Sequence, residues 1–169
     1  MKSLEDIKKI LSEERPVSWD DLPDMDLYMD QVLGYIHRQL YSSREESQLT
    51  ASMVNNYVRD GLLVRTKGKK YSRAHVARLT TICVLKQVLS VADIALLIKT
   101  FPPDTLYKVY DTYRDVLDGD LTAAVKRIPD NDDPLVIADA IVRFIMSSYA
   151  NKAAAEHLID LIKHQNSAG

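Results

Sequence analysis

Residues 50–79 read Thr50-Ala-Ser-Met-Val-Asn-Asn-Tyr-Val-Arg-Asp-Gly-Leu-Leu-Val-Arg-Thr-Lys-Gly-Lys-Lys-Tyr-Ser-Arg-Ala-His-Val-Ala-Arg-Leu79, and their reading decides the fold. Thr50 or Ser52 can accept a hydrogen bond from the first free N–H groups of a following helix. Met53, Val54, Tyr57 and Val58 fall at helical spacing and face a core; Ser52, Asn55, Asn56 and Arg59 are left on the other side. Gly61 stands where a helix C-terminus favours positive φ, and Leu62-Leu63 then re-enter the core. A basic turn follows, carrying Arg65, Lys67, Lys69, Lys70 and Arg73, before the next apolar run starts at Val76. Helix, glycine stop, basic turn and second helix are the parts of a helix-turn-helix with a basic wing.

Working outward, the charge distribution singles out the same stretch. Residues 1–49 hold 6 Lys/Arg and 11 Asp/Glu, residues 50–99 hold 9 and 2, and residues 100–169 hold 7 and 11. A middle of net +7 between ends of −5 and −4 is the footprint of a nucleic-acid surface, or else a solvated basic face that complements the acidic ends. Asn can pair with an adenine edge, Ser can contact a base or a phosphate, and Arg59 suits a phosphate at the helix end. Lys67-Gly-Lys-Lys70 reads as a hairpin tip whose ammonium groups lie along a phosphate backbone. Arg73 opens a helix whose dipole repels cations, a local conflict that a phosphate contact would explain. The expected DNA-binding residues are therefore Ser52, Asn55, Asn56, Arg59, Arg65, Lys67, Lys69, Lys70 and Arg73, on a recognition helix at 51–60 and a wing at 64–73.

Tyr57-x-x-x-Gly61-Leu62-Leu63, the basic turn with Gly68, then Tyr71-Ser72-x-x-His75-Val76-x-Arg78-Leu79 resembles the DNA-binding domain of MerR-type regulators. Leu89-Ser90-Val91-x-Asp93-Ile94-x-x-Leu97 resembles the helix that closes that domain. Asn55 and Asn56 stand in place of the usual Arg-Tyr, and Val64 in place of a proline. The span from about Leu22 to Ile98 is more closely similar to a Gram-positive bacterial family known only as a domain of unknown function. That match is carried by Leu22-Pro-Asp-Met-Asp26, Asn55 to Leu63 and Cys83-x-Leu85-Lys-Gln-Val-Leu-Ser90. The MerR resemblance implies a transcriptional regulator with a dimer seam after the domain.

The remaining chain is read as helical. Ser3 to Asp6 forms a capping-box-like start to a short amphipathic helix that ends before Pro16, and Trp19 anchors an acidic connector. Leu27, Val32, Leu33, Ile36 and Leu40 predict a helix from Asp24–Asp26 to about Leu40, with a polar loop at 41–49. Ser72 caps a helix at about 73–89, and Ser90 a short one ending near Thr100. Phe101-Pro-Pro-Asp104 marks a boundary, Asp118-Gly-Asp120 a helix break, and Pro134 the first turn of a long helix to about 164. The expected fold class is all-α with a small β-wing, a winged helix-turn-helix domain followed by a C-terminal helical bundle. Its parts are an N-terminal helix and connector at 1–19, the DNA-binding domain at 20–100, and a dimerisation or effector region at 101–169.

The single cysteine, Cys83, excludes an internal disulfide and reads as buried structure. No nucleophile–base pair, glycine-rich phosphate loop or metal constellation is found, so no catalysis and no cofactor is expected. The absence of a long apolar stretch or a signal-peptide pattern makes a cytoplasmic protein the default. The expected partners are double-stranded DNA and a second copy of the chain. A pocket among Tyr107, Tyr110, Tyr113 and Tyr149 could hold a small-molecule effector in the C-terminal helices, although an aromatic stripe at helical spacing is more often core. The alternative is a helical protein-interaction module on the same scaffold that does not read DNA.

Overall fold

The computed structural model describes residues 3–13, 15–39 and 48–167, and among them the chain is all-helical, with no strand. In order, the helices are α1 (Leu4–Glu13), α2 (Met29–Gln39), α3 (Ala51–Arg59), α4 (Arg73–Leu85), α5 (Val91–Thr100), α6 (Leu106–Arg127) and α7 (Pro134–Ser167). A 3-10 turn, Pro103–Thr105, precedes α6. The chain folds as two compact units, one of residues 13–119 and one of residues 1–12 with 120–169. Most of the polar loop expected at 41–49 lies outside the described residues, as does the helix end at Leu40.

In the unit of residues 13–119, α4 is the central element. Val76, Ala77, Leu79, Thr80, Ile82 and Cys83 are all buried, so the helix is covered on more than one face. Thr80 keeps its hydroxyl satisfied by donating to the Val76 carbonyl at 3.0 Å. α2 packs against both α4 and α3, with Val32 and Ile36 inward. Val54 and Tyr57 of α3, then Leu62 and Leu63, complete the same core. Each such side chain contributes roughly 1.5–3 kcal/mol on burial, which no local propensity matches. Cys83 is a free, buried thiol, pushed up to about 11 by burial, as its structural reading requires. Trp19 also anchors as expected: its ring meets Tyr107 and Tyr110 edge-on, its backbone N–H donates to the Asp111 carboxylate at 3.1 Å, and the Tyr110 hydroxyl donates to the Val17 carbonyl.

Four expectations are corrected. The β-wing does not form as strands; among the described residues the β-pairing is two isolated antiparallel bridges, Lys67 with Lys70 and Leu27 with Tyr71. The arms flanking Gly68-Lys69 are too short for a ladder, and the closing bond from Lys70 N–H to the Lys67 carbonyl is a long 3.4 Å. α2 begins at Met29 rather than near Asp24, because Leu27 pairs its backbone with Tyr71 and Tyr28 N–H is taken by the Gln31 side chain at 2.9 Å. α4 stops at Leu85: Gln87 and Val88 close onto Val84 and Leu85 in a tightened last turn, and the exposed Val88 offers nothing to bury. α6 runs unbroken through Asp118-Gly-Asp120. One interior glycine weakens a helix by only about 1 kcal/mol, and Arg15 donates to both the carbonyl and the carboxylate of Asp118.

In the second unit, Ser3 and Asp6 make the reciprocal capping bonds of α1 at 3.1 and 2.9 Å, with Asp in the role usually taken by Glu. Lys8 is paired with Asp130. Asp133 accepts from Leu135 N–H at 2.8 Å and Pro134 opens α7. Only Ile159 of α7 is buried; Leu135 is 80% and Tyr149 71% exposed.

Candidate nucleic-acid interface

The local sequence builds α3 as expected. The Thr50 hydroxyl accepts from Met53 N–H at 3.2 Å, and Asp60 caps the other end. Gly61 takes φ +76°, and Leu62 and Leu63 N–H both return to the Tyr57 carbonyl, at 2.9 and 3.1 Å. This tight return fixes which face of α3 is covered. Val54 and Tyr57 go inward, while Ser52, Asn55, Asn56 and Arg59 stay exposed. The side chains of Ser52, Asn55 and Asn56 make no hydrogen bond among the described residues, so their donors and acceptors face solvent. Arg59 differs: it is paired with Asp60 at 2.9 Å, and that neighbour raises its pKa.

The turn that follows is held at its base rather than along its arms. Leu27 and Tyr71 exchange both backbone hydrogen bonds, at 2.9 and 2.8 Å, and the Tyr71 ring is buried. Burial pushes the Tyr71 phenol up, in keeping with a packing role. Gly68 and Lys69 both have positive φ, 62° and 61°, the signature of a type I′ turn between Lys67 and Lys70. His75 ties the turn to α4: its Nδ1 accepts from Ser72 N–H at 3.2 Å, and its Nε2 reaches the Val64 carbonyl at 3.2 Å. Both contacts suit a neutral ring protonated at Nε2, and desolvation lowers the His75 pKa accordingly. The Tyr71 and His75 rings meet edge-on at 5.8 Å.

Arg65, Lys67, Lys69 and Lys70 are exposed and Arg73 is half-buried at the start of α4. None of the five has a carboxylate partner among the described residues. Lys70 instead lies over the Tyr28 ring, 5.4 Å from its centre. Tyr28 and His75 were not anticipated as parts of this surface. His75 was legible in principle, since it stands three residues after Ser72, where a capping box places its reciprocal acceptor. Tyr28 had no local signal, because only the Leu27–Tyr71 pairing brings it to the turn.

Among the described residues no cluster of His, Cys, Asp or Glu could hold a metal ion, and no helix is long and apolar enough to cross a membrane. Residues 17–114 match the family model of a domain of unknown function, DUF1836. No curated protein and no solved structure is significantly similar to the chain.

Proposed function

The chain belongs to the DUF1836 family, and on that premise we propose that it binds double-stranded DNA as a regulator of transcription. In this reading α3 is the recognition helix and the turn 64–73 acts as a wing of loop rather than strand. One observation carries the reading. Among the described residues, five cations clustered in one short turn stand without a carboxylate, whereas Arg59 just before them is paired with Asp60 and others outside the turn, such as Lys8, Arg15, Arg114, Arg143, Lys152 and Lys163, are in ion pairs. An unneutralised basic turn beside a helix whose outer face offers Ser and Asn side chains suits a polyanion with readable edges. Asn55 and Asn56 would meet base edges; Lys67, Lys69, Lys70 and Arg73 would meet phosphates.

One short helix contacts too few bases for specificity, so two copies on neighbouring half-sites are part of the proposal. The exposed apolar residues of α7, among them Ile141, Val142, Ile145 and Met146, support it by offering surface for a second copy. Selection of the full chain against a random duplex pool tests both parts. Two half-sites about one helical turn apart are expected, with a log–log salt slope of roughly −4 to −5 for about five neutralised phosphates. Failure to retain any duplex at low salt would transfer the surface to a protein partner, the interaction-module reading.

A further inference from the structure

Within the unit of residues 13–119, a cleft opens among α4, α5 and the start of α6. Arg78 and Thr81 line it from α4, Ile98 from α5, Phe101 from the connection, and Leu106 and Tyr110 from α6. Its volume is about 40 Å³. A single water needs ~10–15 Å³ and a site for a drug-sized molecule roughly 300–1,000 Å³. The cleft therefore suits the head of a small ligand.

Its polar groups are nearly all committed. The Thr81 hydroxyl donates to the Ala77 carbonyl at 3.0 Å, and the Tyr110 hydroxyl to the Val17 carbonyl at 3.0 Å. The guanidinium of Arg78 is left. It is half-buried, and it has no hydrogen bond and no carboxylate partner among the described residues. Desolvation lowers its pKa, yet an arginine stays charged, so a partly buried cation stands at an apolar wall without a counter-ion.

We propose that this cleft binds a small aliphatic carboxylate, with the carboxylate forked onto Arg78 and the alkyl chain against Ile98, Phe101 and Leu106. A guanidinium fork matches two carboxylate oxygens. Phosphate would leave its other oxygens facing apolar walls without donors. A glutamate of a partner protein has only two methylenes and would bring a polar backbone over the apolar rim. The inference does not depend on DNA binding.

Trp19, the only tryptophan, lies edge-on to Tyr110 with ring centres 6.2 Å apart, so its fluorescence reports on the cleft wall. The full chain is titrated with hexanoate, and in parallel with hexanol, hexylamine and inorganic phosphate, followed by fluorescence and by calorimetry. Hexanoate is expected to give a saturable response that the other three lack. Arg78→Gln should weaken it by about 10- to 100-fold, the loss of one charge-assisted hydrogen-bonded contact. Arg78→Lys, which keeps the charge but not the fork, should fall between, and it replaces Arg78→Gln as the readout if that variant fails to fold by circular dichroism. An equal response to hexanol or phosphate, a response indifferent to both Arg78 variants, or no saturable signal by either method would overturn the proposal.

Discussion

The stretch from α3 to α4 and the helix α7 are built from similar residues and dispose of them in opposite ways. In the first, apolar side chains go inward, Val54, Leu62 and Leu79 being at most 1% exposed. Among the described residues the cations of the turn from Arg65 to Arg73 have no acidic partner, although Arg59 before them is paired with Asp60. In α7 the cations are paired, Arg143 with Asp139, Lys152 with Glu156 and Lys163 with Asp160, while apolar residues such as Leu135, Ile141, Val142 and Leu158 face solvent and only Ile159 is buried. The first region satisfies its own hydrophobic demand and offers charge. The second neutralises its charge and offers apolar area. On the proposed function the first would meet a polyanion and the second an apolar partner, and the two surfaces lie in different compact units.

The largest expected effect tests the contrast in burial. Leu79→Ala should lower the unfolding free energy by about 2–5 kcal/mol, through lost transfer and a cavity that close-packed neighbours cannot fill. Leu135→Ala, at a residue 80% exposed, should stay within about 0.5 kcal/mol. Urea denaturation of the full chain, at a concentration where it is monomeric, measures both. A comparable loss at Leu135 would mean that α7 is already covered, and the comparison would collapse.

The contrast in charge is next. Replacing Lys67, Lys69, Lys70 and Arg73 together with Gln should weaken duplex binding by about 10²- to 10³-fold near physiological salt and flatten the salt slope by about 3–4. Replacing Arg143, Lys152 and Lys163, which are spent in ion pairs, should leave the slope unchanged. Filter binding across a salt series separates the two sets, and equal effects would sink the assignment of the basic turn.

The same comparison explains what the sequence made legible. α3 was readable to its ends because every determinant is local: Thr50 caps it, Val54 and Tyr57 share a face, and Gly61 turns the chain out. α7 was readable from Asp133 and Pro134 onward for the same reason. Features that depend on distant partners were not. Leu27 fits a helical pattern with Val32 and Ile36, but its backbone is claimed by Tyr71, far along the chain. The turn's cations were visible in the sequence, whereas its lack of strands was not, because ladder length depends on what the arms pack against. Gly119 looked like a break, yet the helix around it is held by Arg15 on Asp118. Arg78 could be seen as part of the motif Tyr71-Ser72-x-x-His75-Val76-x-Arg78-Leu79, but its place in a cleft needed α5 and α6 to be positioned first.

A smaller effect bears on how the turn is fastened. Desolvation lowers the His75 pKa from its ordinary value of 6.5, chiefly opposed by the Val64 carbonyl, with Asp26 also raising it and Arg78 lowering it. Above 6.5 both folded and unfolded chains hold the ring neutral, and its contribution is fully present. As pH falls below 6.5 the unfolded chain takes the proton first, so stability is lost toward the lower folded value. His75→Gln can keep the capping bond to Ser72 without titrating, and should remove this part of the decline. Denaturation midpoints compared between about pH 7.5 and about pH 5.5 measure the difference. If wild type and variant decline in parallel, His75 is not the fastening.

The smallest effect has opposite signs at two glycines that the sequence makes look alike. Gly61 ends a helix at φ +76°, where nothing crowds an added Cβ but an L-residue is strained by its own backbone. Gly61→Ala should therefore destabilise by about 1–2 kcal/mol. Gly119 lies inside α6 at ordinary helical φ, again with nothing within 4 Å of a built Cβ. Gly119→Ala should stabilise by about 0.4–1 kcal/mol, since alanine narrows the unfolded ensemble and favours the helix. Space is equal at the two sites, so only backbone conformation can produce a difference in sign. Paired denaturation curves on the full chain would show it, and a loss at Gly119 would mean that α6 does bend there in solution, as the sequence alone suggested.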